Sequence, residues 1–378
     1  MQLEPEILET LRCPVGGGRL HPMSREDVER LNSAIAGGAA RLAVDGGTCE
    51  PLEEGLAAAD GTGFYPVVGG VPHLVPARRI VQGESATVSQ PRAERELAKG
   101  WAARWADLSL RWDELGPPER PAKEDTEFLE RLVAEACAAA GVVGPRVLML
   151  GVTPETATMR WPSGTRLLAL DFCDEMIRRV WPARASPPGG PVLADWLSMP
   201  VADGSYDLVV GDGVLTPTRY PDGCATLLRQ ARRVLRDRGV LALRFFTRPE
   251  APEPVERVFA RLRAGEFRSL DAMKWRLVAS LHDDATGDVR MGDVWDAWEA
   301  NVPEPAALMR SLGFPDRAPR IFEGLRGVEA RATFPTLAEV RALLAREFQE
   351  VRCMWPRYED GERYPTMLLW PKEAALSC

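Results

Sequence analysis

The sequence predicts an α/β protein built on a doubly wound, mostly parallel sheet, with a small α+β unit before it and a helical lid inserted late in the chain. Three observations lead there. Between residues 123 and 247, helical and apolar-strand patterns alternate, as βαβ units require. The strand runs, Arg146-Val-Leu-Met-Leu150 among them, are apolar almost without interruption, which means burial on both faces. The 378 residues are 45% hydrophobic and 27% charged, enough to bury a real core.

The elements follow in order. Residues 1–76 form a first unit with short apolar runs and two landmarks, Leu8-Glu-Thr-Leu-Arg-Cys13-Pro14 and Phe64-Tyr65-Pro66-Val-Val-Gly-Gly70-Val-Pro72. Between them Ser24 is placed to cap a helix, with Asp27 in the capping-box position. Residues 77–122 read as a linker and a helix that packs Trp101, Trp105 and Trp112 on the next domain. The core spans 123–250, with strands at Arg146 to Leu150, Leu167 to Leu170, Val192 to Ala194, Tyr206 to Gly211 and Val240 to Phe246. Helices fill the gaps: Glu124 to Ala140, Thr153 to Arg160, Asp174 to Val180, and Asp222 to Leu235, the last ended by Arg236-Asp-Arg-Gly239. Residues 251–333 form the lid and substrate region, helical and rich in Trp, Asp and Glu up to 312. Residues 334–378 complete the sheet with a helix at Leu337 to Glu347 and strands at Glu350 to Met354 and Thr366 to Trp370. Glu359 to Pro365 reads as the hairpin turn joining those two strands.

A net charge of −8 and a pI near 5.3 argue against broad capture of nucleic acid or an anionic membrane. No apolar run reaches transmembrane length, and the first residues lack the basic and apolar parts of a signal peptide. Seven scattered cysteines fit a reduced, cytoplasmic protein without a disulfide framework. Eleven tryptophans are many for this length, and several fall where they could line a substrate pocket.

The chemistry centres on Gly151 and Asp171. An apolar strand ends at Gly151 and turns; a second ends on an acid 20 residues later. Strand, turn, helix, strand and then a carboxylate able to take two ribose hydroxyls is the order of a nucleoside-cofactor site. Asp195-Trp196 follows the third strand, the acid suited to an adenine amino group and the indole to a wall or stacking face. Gly211-Asp212-Gly213 ends the fourth. Thr153 lies in the first turn, and Phe172 and Met176 follow Asp171 as lining residues.

From about 140 to 248 the chain resembles the class I S-adenosylmethionine-dependent methyltransferases. The resemblance rests on Asp171, Ala194-Asp195-Trp196, Leu-Ser-Met-Pro200, Tyr206-Asp-Leu-Val-Val-Gly-Asp212 and Leu235-Arg-Asp-Arg-Gly239 at the intervals of that family. It implies a Rossmann-like fold and S-adenosylmethionine as cofactor, its methionine part at Gly151 and its amino group near Asp212. The family's glycine-rich acidic first loop is here Gly-Val-Thr-Pro-Glu155, which keeps only the first glycine. Thr153 is placed instead to cap the next helix, with Pro154 at its first position and Glu155 in its first turn.

Residues 1–76 resemble the small Trm112-like zinc ribbons through Cys13-Pro14 and Tyr65-Pro66-Val-Val-Gly-Gly70-Val-Pro72. Some members of that family are partners of methyltransferases, which implies a surface for a partner protein or a second copy. The family's cysteine pairs are missing, and Cys13, Cys49, His21 and His73 match no zinc-knuckle spacing, so the unit reads as metal-free.

Methyl transfer from a sulfonium asks the protein to align a nucleophile and, for a phenol, alcohol or protonated amine, to remove a proton. The catalytic candidates are Asp212, Tyr220 and His282, the last in Ser-Leu-His282-Asp-Asp284. Tyr220, Arg244 and Trp275 are candidates for substrate contact. Alternatively, Tyr220 and Arg244 are core-edge residues with solvated tips, His282 is structural, and Trp275, Trp295 and Trp298 form a packing face. No Asn-Pro-Pro-Tyr motif follows the fourth strand, which disfavours a nucleobase or glutamine amide. The expected activity is methylation of O or N of a small molecule, as in specialised biosynthesis. A peptide, protein or tRNA acceptor and an inactive scaffold are the alternatives.

Overall fold

The computed structural model describes residues 4–372 apart from 45, 62, 83–91, 183–186 and 284. It gathers into two compact units, each discontinuous in sequence. The first comprises 1–95, 133–210 and 230–241; the second comprises 96–132, 211–229 and 242–378.

The first unit holds β1 (Leu20–Pro22), β2 (Ala40–Leu42), β3 (Glu54–Ala58), β4 (Phe64–Val68), β5 (Val71–Leu74) and β6 (Ile80–Gln82). It then holds β7 (Arg146–Leu150), β8 (Arg166–Asp171) and β9 (Gly189–Ala194), with the larger parts of β10 (Tyr206–Asp212) and β11 (Leu235–Arg244). Their order is β1-β3-β4-β5-β9-β8-β7-β10-β11. β7, β8 and β9 pair in parallel, as their unbroken apolar runs require. Val147 to Leu150 and Leu167 to Leu170 are at most 1% exposed.

The small N-terminal sheet is continuous with this layer. β5 pairs in parallel with β9, His73 opposite Leu193 and Leu74 opposite Ala194. His73 is buried, its Nε2 3.7 Å from Asp174 Oδ1, and burial pulls its pKa down despite that carboxylate. Ser24 and Asp27 form the expected capping box at the helix Arg25–Ala36. That helix covers a cluster of Val28, Leu31, Ala40, Leu52 and Ile80, with Cys49 against it. Cys13 Sγ meets Tyr65 Oη at 3.3 Å, and His21 is exposed on β1. Among the described residues no three metal-capable side chains come together.

Two local readings of the sequence are corrected. The helix expected over Thr153 to Arg160 is one turn, Pro154–Ala157. Thr158 Oγ1 closes on the Pro154 carbonyl at 2.7 Å, and Pro162 disfavours helix at Trp161. Arg236 to Gly239 is not a turn after the helix Asp222–Val234; β11 starts at once, at Leu235. Its charged residues 236–238 are exposed, and Arg236 pairs with Asp207 on β10.

In the second unit β12 (Val289–Arg290) pairs with β13 (Arg331–Ala332), and β14 (Phe348–Met354) with β15 (Thr366–Pro371), both antiparallel. The helices Val255–Arg263, Leu270–Ser280, Met291–Asn301 and Pro305–Leu312 make up most of the expected lid. Its tryptophans are core. Trp298 stacks on Phe322 at 4.0 Å, and Trp275 meets Phe246 and Phe334 edge-on at 5.4 and 5.2 Å. Trp101, expected to face the core domain, donates its indole N–H to the Arg331 carbonyl at 2.9 Å. Among the described residues no helix is long and apolar enough to cross a membrane.

Candidate functional site

The first unit carries most of the residues that the sequence offers for a cofactor, from Gly151 to Trp196. After β7 the chain turns at Gly151, whose φ of +96° suits glycine and strains other residues. A Cβ there would stand 3.9 Å from Thr153 Oγ1, 3.9 Å from Trp196 Cζ2 and 4.0 Å from Asp171 Oδ2. Three of the residues chosen from sequence therefore surround the fourth, and bare backbone keeps the space between them.

Asp171 closes β8 and is 5% exposed. Burial raises its carboxyl to about 7, opposed by backbone N–H groups of Cys173, Val152 and Phe172. The Cys173 N–H lies 2.8 Å from Oδ1. Among the described residues, the groups acting on this carboxylate include no cation. Trp196 donates its indole N–H to the Leu170 carbonyl at 2.7 Å, and Phe172 meets it edge-on at 5.2 Å. An aromatic wall is thus fixed to the end of the strand that carries the acid. A buried carboxyl beside an open backbone turn and an indole, with no cation among the described residues acting on it, can take a neutral vicinal diol attached to a flat ring.

The remaining cofactor candidates divide. Asp195 spends one oxygen locally: Oδ1 accepts the Leu197 N–H at 2.8 Å and caps the turn Trp196–Ser198. Thr153 stands at the N-cap with Pro154 and Glu155 after it, but its hydroxyl makes no capping bond. Its oxygen sits beside Gly151 instead. Met176 is buried on the helix Asp174–Val180.

Gly211 and Asp212, at the end of β10, group with the second unit. Within it Arg244 holds Asp212 in a fork, Nε to Oδ1 at 2.7 Å and Nη2 to Oδ2 at 2.8 Å. Arg244 Nη2 also donates to the Pro118 carbonyl at 2.7 Å; Nη1 donates to Tyr358 Oη at 2.9 Å and Asp125 Oδ2 at 3.3 Å. All five guanidinium N–H groups are then committed. Arg244 is 4% exposed, so it neither reaches solvent nor offers a donor to a substrate. It positions Asp212. Burial lowers its pKa, but Asp212 and Asp125 outweigh that and the net shift is upward. Trp275 is likewise 4% exposed and packs in the aromatic core rather than on a pocket wall. Tyr220 and His282 do come together, lining one cavity with Arg248 and Glu339.

Asp125 and Tyr358 are site residues that sequence reasoning missed. Asp125 reads as a helix-start acid, and it does accept the Ala122 N–H at 2.8 Å. No local signal ties it to an arginine 119 residues on. Tyr358 lies in a turn with no pattern around it.

The fold is that of an α/β protein with a mostly parallel central sheet. Residues 148–243 match the model of the methyltransferase domain family. The matched segment carries Gly151, Asp171, Asp195 and Asp212, and S-adenosylmethionine is the cofactor the match supports. No curated protein matches the chain. Among solved structures, 1,6-didemethyltoxoflavin-N1-methyltransferase from Burkholderia thailandensis, with 1,6-didemethyltoxoflavin and S-adenosylhomocysteine bound, is similar at 16% identity. That alignment covers 80% of this chain and 100% of that one, with a TM-score of 0.41. The CcbJ methyltransferase from Streptomyces caelestis is similar at 14% identity, with 72% and 98% covered and a TM-score of 0.41. A Rhodobacter sphaeroides protein described as a zinc-dependent alcohol dehydrogenase is similar at 15%, with 73% and 98% covered and a TM-score of 0.47. With TM-scores below 0.5, these likenesses carry no inference about this chain.

Proposed function

We propose that the chain is an S-adenosylmethionine-dependent methyltransferase acting on O or N of a small molecule, in the cytoplasm, as part of specialised biosynthesis. The observation that carries this is the Gly151 turn ringed by Thr153, Asp171 and Trp196. In this reading Asp171 takes the ribose hydroxyls, while Trp196, Phe172 and Met176 enclose the adenine. Asp195 takes the adenine amino group. Gly151 and Thr153 border the methionine part. When bound, the sulfonium supplies an electrophilic methyl group. The acceptor's lone pair forms the new bond to that methyl as the carbon–sulfur bond breaks. An acceptor proton, where there is one, passes to His282, whereas Tyr220, its phenol held protonated by burial and the Glu339 carboxylate, donates a hydrogen bond to the acceptor. Asp212 serves as a fixed anion, since both its oxygens already face Arg244. A peptide, protein or tRNA acceptor is the second reading and rests on residues 1–76 and their resemblance to partners of methyltransferases.

Calorimetry of the full chain with S-adenosylhomocysteine tests the proposal. One site is expected, with a Kd in the range of about 1 μM to 1 mM that enzyme ligands occupy. Gly151→Val, which fills the turn, should weaken binding at least about a hundredfold, near 3 kcal/mol, with the far-ultraviolet spectrum unchanged. Absence of binding to the unaltered chain would leave the scaffold reading.

A further inference from the structure

Unit 2 encloses a cavity of about 250 Å³ whose walls come from four separate stretches of chain. Tyr220 and Pro221 come from the connection after β10, Arg248 from the segment after β11, His282, Ala285, Thr286 and Gly287 from the lid, and Pro335 and Glu339 from around a helix start. The walls are fixed to one another. Arg248 N–H donates to the Pro335 carbonyl at 3.2 Å, and Gly287, at a φ of +74°, lies against the Tyr220 ring.

Opposite charges stand side by side in it. Arg248 Nη2 lies 3.7 Å from Glu339 Oε2, a pair too long for a direct hydrogen bond. Arg248 is 11% and Glu339 36% exposed at the side chain. Glu339 is held in place because the same oxygen accepts the Thr336 N–H at 2.7 Å in a capping box. Of the other charges nearby, Arg331 and Asp288 pair at 2.7 Å next to His282, and Arg346 acts on Tyr220 together with Arg248 and Glu339. A phosphate or other pure anion would meet Glu339, and an amine alone would meet Arg248. A molecule with carboxylate and ammonium as close together as Arg248 and Glu339 satisfies both.

We propose that this cavity binds a small zwitterion of the α-amino-acid class, its carboxylate on Arg248, its ammonium on Glu339, and its side chain between Tyr220 and His282. The site stands whether or not the chain transfers a methyl group.

The test is calorimetry of the full chain against the common free amino acids. Each is paired with its N-acetyl form, which lacks the ammonium, and its decarboxylated amine. At least one free amino acid is expected to bind saturably, with both altered forms at least about tenfold weaker, near 1.4 kcal/mol. Arg248→Met and Glu339→Gln should each lower affinity at least about tenfold. Both variants should leave S-adenosylhomocysteine affinity unchanged. Glutamine still accepts the Thr336 N–H, so Glu339→Gln separates loss of charge from loss of the helix cap. If Arg248→Met does not fold, Arg248→Lys keeps the charge without the fork and should still lose affinity. The proposal is overturned if no amino acid binds, if the altered forms bind equally well, or if folded variants bind as the original does.

Discussion

Arg244→Met is expected to cost about 3–5 kcal/mol of folding stability, the usual result of removing one partner from a buried ion network. The substitution keeps the bulk of the side chain and deletes five donors at once. Asp212 and Asp125 would then face each other, buried and without their cation, and the Pro118 carbonyl would lose its partner. Arg244→Lys should recover only part of the loss, since an ammonium cannot make the fork to Asp212 while also reaching Tyr358 and Pro118. Asp212→Asn combined with Arg244→Met should cost less than the two changes summed, because the first removes a charge the second strands. Urea unfolding of the original protein, the three single variants and the double variant decides it. A loss below about 1 kcal/mol for Arg244→Met would mean that the network contributes little.

Asp171→Asn should move stability and binding in opposite directions. In the empty protein, burial holds this carboxyl near 7, above its unfolded value of 3.8. Between those values the folded state binds more protons than the unfolded one, so stability falls as pH rises from about 4 to 7. Asparagine removes that dependence. At pH 8 the empty variant should be the more stable by about 2–4 kcal/mol, read from thermal or urea unfolding. Cofactor binding reverses the sign. Two ribose hydroxyls donated to a carboxylate contribute about 3 kcal/mol or more together, so S-adenosylhomocysteine affinity should fall at least about a hundredfold in the variant. For the unaltered protein that affinity should rise with pH through about 7, with a proton released on binding at pH 6, detectable by calorimetry in buffers of different ionisation enthalpy. A pH-independent affinity would remove Asp171 from the ribose.

Some of this was legible beforehand because its cause is local. β7 and β8 are written in the sequence as runs buried on both faces, and Gly151 as the break that ends one. The Ser24 capping box is visible for the same reason: four consecutive residues settle it. Arg236 to Gly239 misled because a charged stretch with a glycine reads as a turn, while strand pairing with a distant neighbour overrides composition. Asp195 showed its acid but not that one oxygen is spent on Leu197. The commitments of Arg244 were invisible, because their partners lie at 118, 125, 212 and 358. Trp275 was recognisable as apolar surface to bury, but not whether ligand or protein would cover it.

The parallel pairing of β5 with β9 also constrains when the protein can fold. His73 leaves the ribosome about 120 residues before its partner Leu193 does. Through that interval the N-terminal sheet has an open edge at β5, with backbone amides and carbonyls that only a later strand can satisfy. Contacts of such separation are formed late, after the entropy of closing a long loop has been met. Both compact units are stitched from three stretches of chain, and the first cannot be completed before residue 241 has been made. The exposed β5 edge is therefore where a nascent chain is open to wrong pairing.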